Sequence, residues 1–154
     1  MSGRDIIFLV DDPNWTKARG LQAKLKRAAG EAVAHCGFKG NSGLTIMLGS
    51  DAKLRTLNHD FRGKDKATNV LSFPAGENPD GYRGDIAIAY GVTAKEAKAA
   101  GKSLGDHAAH LVVHGVLHLA GYDHEKPRDA KKMEPLEVKI LARLGIANPY
   151  EAMR

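Results

Sequence analysis

The sequence predicts a mixed α/β protein of the α+β type, in which a small mixed four-stranded sheet packs with about five helices. Short apolar runs of strand length alternate with longer segments of helical periodicity, and turn residues separate the two kinds of segment. The chain has 154 residues, which is enough for one continuous core and close to the usual size of one domain. We therefore expect a single domain over residues 1–154.

Four short apolar runs, rich in β-branched residues, predict the strands of the sheet. They are residues 5–10, 43–49, 69–73 and 84–90. A loop rich in Gly, Asn, Pro and Asp separates the last two runs, which suits a pair of antiparallel strands. The first two runs are each followed by a helix-like segment, which indicates a β-α-β-α order.

Helical periodicity and capping residues predict five helices around this sheet. The outer two are predicted over residues 17–36 and 127–144, and a glycine follows each. The predicted N-caps of the three helices between them are Ser50, Thr93 and Ser103. We expect the helix after Ser50 to bury Phe61, and the helix after Ser103 to end at Gly121.

Composition and charge narrow the class of function. Lys and Arg number 23 against 18 Asp and Glu, a net charge of +5, which favours nucleic acid as a partner over a membrane. Cys36 is the only cysteine, which excludes an intramolecular disulfide framework and fits a reducing, cytoplasmic compartment. No apolar stretch approaches the roughly 18 residues that span a bilayer, and the apolar run at 6–10 is too short for a signal peptide.

The histidines are concentrated in one short segment, with five of the seven between residues 107 and 124. His114 and His118 are four residues apart and share one face of the predicted helix. Gly121 permits a left-handed turn, after which His124 can return to the same point. Three imidazole ligands leave a fourth tetrahedral position open, as in catalytic zinc sites. The pattern predicts one Zn²⁺ per chain, held by His114, His118 and His124.

A hydrogen-bonded core histidine is the ordinary interpretation of a single His on an apolar helix. Several such histidines together would leave buried nitrogens unsatisfied unless a metal or acceptors met them, which favours the metal site. His107 and His110 continue the same stripe. We expect them to support the ligands or to face solvent.

The residue that follows the first predicted histidine ligand indicates which reaction the metal site could catalyse. Zinc peptidases with the His-Glu-x-x-His pattern carry a general base directly after the first ligand, and Gly115 stands at that position here. Asp85, Asp123 and Glu125 are other candidates for the base, and zinc can also activate water without one. A peptidase that uses this metal is one candidate function, and an RNA-binding protein in which the metal is structural is another.

A run of cationic residues lies on and after the second predicted helix. Its members are Lys53, Arg55, Arg62, Lys64 and Lys66. A solvated surface is the ordinary interpretation of such a run, but beside a metal site it would bind phosphates. Arg62 could bind a phosphate through two hydrogen bonds and stabilise charge in the transition state. Arg55, Arg62, Lys64 and Lys66 are the predicted RNA-binding residues, and Phe73 is a core residue or a base-stacking one.

Four stretches of the chain together resemble a known family. FRGKDKATNVLSFP (61–74), GDIAI (84–88), HLVVHGVLHLAGYDH (110–124) and MEPLEVKILARLGIANPY (133–150) strongly resemble blocks of the YbeY endoribonuclease family of bacterial rRNA maturation factors. The blocks appear in the family's order and cover most of the chain from about residue 50 onward.

This resemblance implies a zincin-like fold with its metal site on a buried helix and the following turn. It implies one zinc ion on the three histidines matching His114, His118 and His124, and cleavage of single-stranded RNA rather than DNA. Arg62 matches the family's functional arginine, so Arg62 and His114 are the expected catalytic residues. The implied roles are small-subunit rRNA 3′-end maturation and ribosome quality control, with rRNA, the small ribosomal subunit and its assembly factors as partners.

Overall fold

The sheet has four strands of mixed direction, as predicted. The structure, a computed structural model, describes residues 6–36, 43–122 and 127–150, with the backbone alone at 127–130. The strands are β1 (Ile6–Val10), β2 (Leu44–Gly49), β3 (Val70–Pro74) and β4 (Gly84–Ala89). Their order in the sheet is β1-β2-β4-β3. β1, β2 and β4 run parallel, and β3 pairs antiparallel with β4.

Five α-helices lie in the described ranges, which confirms the predicted number. They are α1 (Leu21–His35), α2 (Asp51–Arg62), α3 (Tyr90–Ala99), α4 (Leu104–Leu119) and α5 (Pro127–Arg143). Two predicted caps are confirmed. The Ser50 side chain accepts a hydrogen bond from the Lys53 N–H at 3.0 Å, and the Ser103 side chain accepts one from the Asp106 N–H at 3.0 Å, so each serine satisfies a free donor at its helix N-terminus.

Two predicted helix starts were wrong. α1 begins at Leu21 rather than at 17, because a 3-10 turn occupies Pro13–Thr16 and Gly20 adopts a left-handed φ of 76°. α3 follows β4 without a loop, so Thr93 lies buried inside that helix and is not its cap. The Asp51 carboxylate, 41 residues away in sequence, accepts from the Val92 N–H at 2.9 Å instead.

The two faces of the sheet are covered by different helices. α1 and α4 pack on one face with α5 against both, and this side holds the larger core. α2 packs on the other face over a smaller cluster, formed by Leu54, Leu71, Ala87 and Ala89. Alternation along β4 turns Ile86 and Ile88 toward the larger core and the alanines toward α2. No described helix is long and apolar enough to cross a membrane.

Candidate active site

α4 brings two of the predicted metal ligands together. The Nε2 atoms of His114 and His118 face each other at 3.0 Å, and their ring centroids are 4.5 Å apart. Two nitrogens bound to one tetrahedral zinc at about 2.0–2.1 Å would lie about 3.3 Å apart. A small rotation of either ring would give that separation, so the pair fits a shared metal ion.

The end of α4 is formed as the sequence predicts. Gly121 has a φ of 103°, which a glycine adopts without steric cost, and its N–H donates to the His118 carbonyl at 3.0 Å. The third predicted ligand, His124, lies outside the described residues, as do Asp123 and Glu125. Within the described ranges, no three or more His, Cys, Asp or Glu side chains are grouped to hold a metal, so the three-histidine site stays a prediction.

A carboxylate that the sequence analysis missed lies behind this pair. Glu137 on α5 is fully buried, and its Oε2 accepts from His110 Nε2 at 2.9 Å and from His114 Nδ1 at 3.3 Å. Its Oε1 accepts from the Tyr150 hydroxyl at 3.0 Å. We call Glu137, His110, His114 and Tyr150 the Glu137 network. One buried carboxylate thus joins α4, α5 and the segment after α5.

The Glu137 carboxylate is ionised in this environment. Burial by itself raises its pKa, but the hydrogen bonds from His110 and His114 and the charge interactions with the same two rings together lower the pKa to about 2. An ionised carboxylate only accepts hydrogen bonds, so His114 carries its proton on Nδ1. In the neutral ring, Nε2 then presents a lone pair toward His118. This is the tautomer that a metal ligand needs.

A sequence signal for Glu137 existed. Met133 and Ile140 are apolar residues of the same predicted helix, and position 137 lies four residues after one and three before the other. These spacings put Glu137 on the same helical face. A glutamate inside an apolar stripe is buried only with partners, but the sequence does not show which partners those are.

The two flanking histidines have separate partners. His110 belongs to the Glu137 network and so supports His114, as predicted for a residue next to the ligands. His107 instead lies 2.9 Å from Glu96 of α3, and the Asn69 side chain donates to the same carboxylate oxygen at 3.1 Å. The His107 ring therefore links α4 to α3 and to the start of β3.

Gly115 occupies a position where a side chain would be crowded. A Cβ built there would lie 3.1 Å from Ile86 Cγ2, because α4 packs directly on β4 at this point. The position that carries the general base in His-Glu-x-x-His peptidases is therefore crowded by the sheet.

The structure also excludes Asp85 from the histidine pair. Ile86 points toward α4, so its strand neighbour Asp85 points to the opposite face of the sheet. There its carboxylate accepts from the Tyr82 hydroxyl at 2.5 Å. Strand alternation, which the sequence analysis did not apply to this residue, removes Asp85 as a candidate base.

Arg62 lies at the end of α2 and is linked to α4 through β3. Its Nη2 donates to the Ser72 carbonyl at 3.3 Å. The Ser72 hydroxyl in turn donates to the Gly115 carbonyl at 3.3 Å, next to His114 in the chain. Two hydrogen bonds therefore lead from the guanidinium group to the helix that carries the histidines, and Arg62 is exposed.

The other predicted RNA-binding residues differ in their environments. Arg55 forms a two-pronged ion pair with Asp65, at 2.8 and 3.1 Å. Lys64 and Lys66 are exposed. The buried Asn58 fixes the segment that carries them. Its side chain donates a hydrogen bond to the Lys66 carbonyl at 3.0 Å, and its backbone carbonyl accepts one from the Lys64 N–H at 3.2 Å.

Phe61 was predicted to face the core, and that prediction was wrong. The residue is 68% exposed, and its ring meets Phe73 edge-to-face with centroids 5.3 Å apart. Phe73 is half-buried against the smaller core. The helix ends here at the rim of the sheet, where no other described element covers its outer side.

Comparison with known proteins identifies the family. The model of the family "Endoribonuclease YbeY" matches residues 10–145. The chain belongs to the YbeY endoribonuclease family. A YbeY endoribonuclease from Bordetella pertussis is 50% identical over 141 residues, which cover 91% of this chain and 88% of the relative. One from Maricaulis maris is 43% identical over 143 residues, or 93% and 89% of the two chains.

A solved structure shares the fold. The solution structure of a Thermotoga maritima protein superposes with a TM-score of 0.61 at 27% identity. The match covers 90% of this chain and 88% of that one. The YbeY resemblance inferred from four sequence blocks is thereby confirmed at the level of the family, and the architecture extends over most of the chain.

Proposed function

We propose that this protein is a zinc-dependent endoribonuclease, built as a single zincin-like domain, that cleaves single-stranded RNA. The observation that carries the proposal is the facing pair of His114 and His118 nitrogens, backed by a buried carboxylate, in a chain of the YbeY family. The proposed biological role is processing of the small-subunit rRNA 3′ end and ribosome quality control in the cytoplasm. Its partners would be rRNA, the small ribosomal subunit and assembly factors.

His114, His118 and His124 would hold the zinc ion, and two of the three are described and fit it. When bound, zinc supplies Lewis-acid polarisation of a phosphoryl oxygen and activation of water. Glu137 keeps the His114 ring in one tautomer and one orientation through Nδ1.

Binding and charge stabilisation fall to the end of α2. Arg62 is exposed, always charged and able to bind a phosphate through two parallel hydrogen bonds, so it would hold the scissile phosphate and stabilise its developing charge. Lys64 and Lys66 would contact neighbouring phosphates. Arg55 would contribute less, because it must first leave Asp65, and the uncovered carboxylate would repel RNA.

The crowded position at Gly115 favours this reaction over peptide hydrolysis. A carboxylate after the first histidine would bring its Cβ within 3.1 Å of the Ile86 side chain, so the base that zinc peptidases use is disfavoured on this helix. Phosphodiester cleavage depends more on positioning and on charge stabilisation, and Arg62 and the lysines are suited to both.

The proposal is tested by combining metal analysis with RNA digestion. We expect the purified protein to hold one zinc ion on imidazole nitrogens, measured by elemental analysis and X-ray absorption. Cleavage of a single-stranded RNA should stop with chelator and return with zinc, while duplex RNA and single-stranded DNA remain uncut. Full cleavage by metal-free protein would contradict the metal role. Intact RNA with the zinc-loaded protein would contradict the nuclease role.

A further inference from the structure

The most exposed large apolar side chain in the described residues is at the end of α2. Phe61 is 68% exposed, while the other exposed ones, Ile7, Leu9 and Val10, all lie on the edge strand β1. A single exposed apolar residue needs no explanation by itself. Phe61 differs from the others in three ways: it is aromatic, its ring contacts Phe73, and three exposed cationic residues follow it in the chain.

The Phe61 ring is held in place. It contacts Phe73 edge-to-face, at 5.3 Å between centroids, and Phe73 packs against the smaller core of the sheet. An edge-to-face contact occupies at most one face of a ring. With so much of the residue exposed, the other face is open to solvent. The arrangement presents a flat apolar surface at a defined orientation.

Cationic residues follow Phe61 closely in the chain. Arg62 follows it directly, and Lys64 and Lys66 come within five residues, all of them exposed. Two acidic residues lie in the same segment: Asp65 pairs with Arg55, and Asp60 lies 3.2 Å from His59. We call Phe61, Arg62, Lys64 and Lys66 the α2 tip. An open aromatic face among cations is the arrangement with which proteins bind single-stranded nucleic acid.

The position of the α2 tip suits a substrate contact. Arg62 hydrogen-bonds to β3 and β3 hydrogen-bonds to α4 one residue from His114. A strand of RNA whose phosphate reaches Arg62 would therefore bring a neighbouring base to the ring. Bases in a duplex are already stacked on each other and are not available to Phe61.

We propose that Phe61 is a base-stacking subsite for single-stranded RNA, on which one nucleobase lies while Arg62, Lys64 and Lys66 hold the adjoining phosphates. This inference rests on the proposed function and names the substrate contact of that site. Stacking on a side chain tolerates any base, so the subsite would add affinity without reading sequence.

The test compares Phe61→Ala with the parent protein, binding a short single-stranded RNA that carries cleavage-resistant 2′-O-methyl groups. We expect Phe61→Ala to weaken binding roughly 5- to 150-fold, the range seen for loss of one stacking side chain. The slope of affinity against salt should stay unchanged, because no charge is removed. Phe61→Tyr should restore the affinity. Ile7→Ala, which removes another exposed apolar side chain on β1, should leave the affinity unchanged.

A second measurement identifies the base as the contact. An abasic site moved along the RNA should weaken parent binding at one position and have no further effect there on Phe61→Ala. Phe61→Trp should give tryptophan fluorescence that RNA quenches. The quenching can be assigned to position 61, because Trp15 is 2% exposed and its side chain donates a hydrogen bond to the Gly49 carbonyl.

Two results would overturn the inference while the proposed function stands. The first is that Phe61→Ala binds RNA as tightly as the parent. The second is that an abasic site weakens parent binding equally at every position of the RNA. If Phe61→Ala binds RNA as tightly as the parent but binds ribosomal subunits more weakly, Phe61 contacts a protein instead. If the parent itself neither binds nor cleaves single-stranded RNA, the proposed function fails first.

Discussion

The Glu137 network and the α2 tip differ in how their polar groups are satisfied. Inside the network, each oxygen of a fully buried carboxylate has a partner from the protein, drawn from α4 and from the segment after α5. At the α2 tip Arg62, Lys64 and Lys66 are exposed, and the guanidinium of Arg62 donates a long hydrogen bond of 3.3 Å to the Ser72 carbonyl. The carboxylate of the first region is satisfied by groups of the protein, and the second region is open to a ligand.

This difference predicts two kinds of response to mutation. A buried polar group that loses its partner keeps the full cost of desolvation, so single changes in the network have large, geometry-dependent effects. Exposed charges are screened by water and salt, so each contributes a modest and salt-dependent amount. Arg62 is the exception expected within the α2 tip, because it would act on the transition state.

The largest effect is expected from His114→Ala, which removes a proposed metal ligand and a member of the Glu137 network at once. Zinc affinity should fall by more than the 10- to 100-fold lost when only a ligand's supporting partner is removed, and RNA cleavage should fall to background. Zinc content and single-turnover cleavage measure both effects. Circular dichroism is the control for folding, and a folded His114→Ala that still holds one zinc ion would contradict the site.

Arg62→Ala should lower the cleavage rate about 10²- to 10³-fold, by analogy with loss of one donor to transition-state charge. Zinc content and melting temperature should stay at the parent values, because the side chain is exposed. Arg62→Lys keeps the charge but loses the two-pronged geometry, so partial rescue is expected. A parent-like single-turnover rate in Arg62→Ala would reduce Arg62 to a docking residue.

The Glu137→Gln variant tests the role of the carboxylate in the buried Glu137 network. The amide cannot accept from all three donors, so zinc affinity should fall about 10- to 100-fold and unfolding free energy by about 1–3 kcal/mol. Nitrogen NMR of the His114 ring should show a mixture of tautomers in place of the Nδ1-protonated one. Glu134→Gln, an exposed glutamate on the same helix, is the matched control. Unchanged zinc affinity in Glu137→Gln would separate the carboxylate from the metal site.

The smallest effects are expected from Lys64→Ala and Lys66→Ala. Each should weaken RNA binding modestly and reduce the slope of log affinity against log salt by about 0.7, the value for one phosphate contact on a single strand. Arg55→Ala should change the slope less, because its charge is already paired with Asp65. Fluorescence anisotropy over a range of salt concentrations measures all three. A larger slope change in Arg55→Ala than in Lys64→Ala would reverse this ranking.

Local features of the sequence predicted much of the site. The spacing of His114 and His118, the Ser103 cap and the Gly121 turn all act within a few residues, where helix geometry alone decides which side chains meet. The structure confirms each of them. The pairing of β3 with β4 was predicted for the same reason, because a short loop joins two adjacent apolar runs.

Other features were decided only by packing between distant segments. Glu137 meets His114 because α5 crosses α4, and the sequence places these residues 23 positions apart without indicating that contact. Asp85 is removed from the site by the direction in which β4 presents its side chains. Phe61 has the spacing of a buried residue yet lies exposed. Periodicity determines which residues share a face of a helix or strand, but the neighbour that covers each part of that face comes from elsewhere in the chain, and its position depends on the whole packed core.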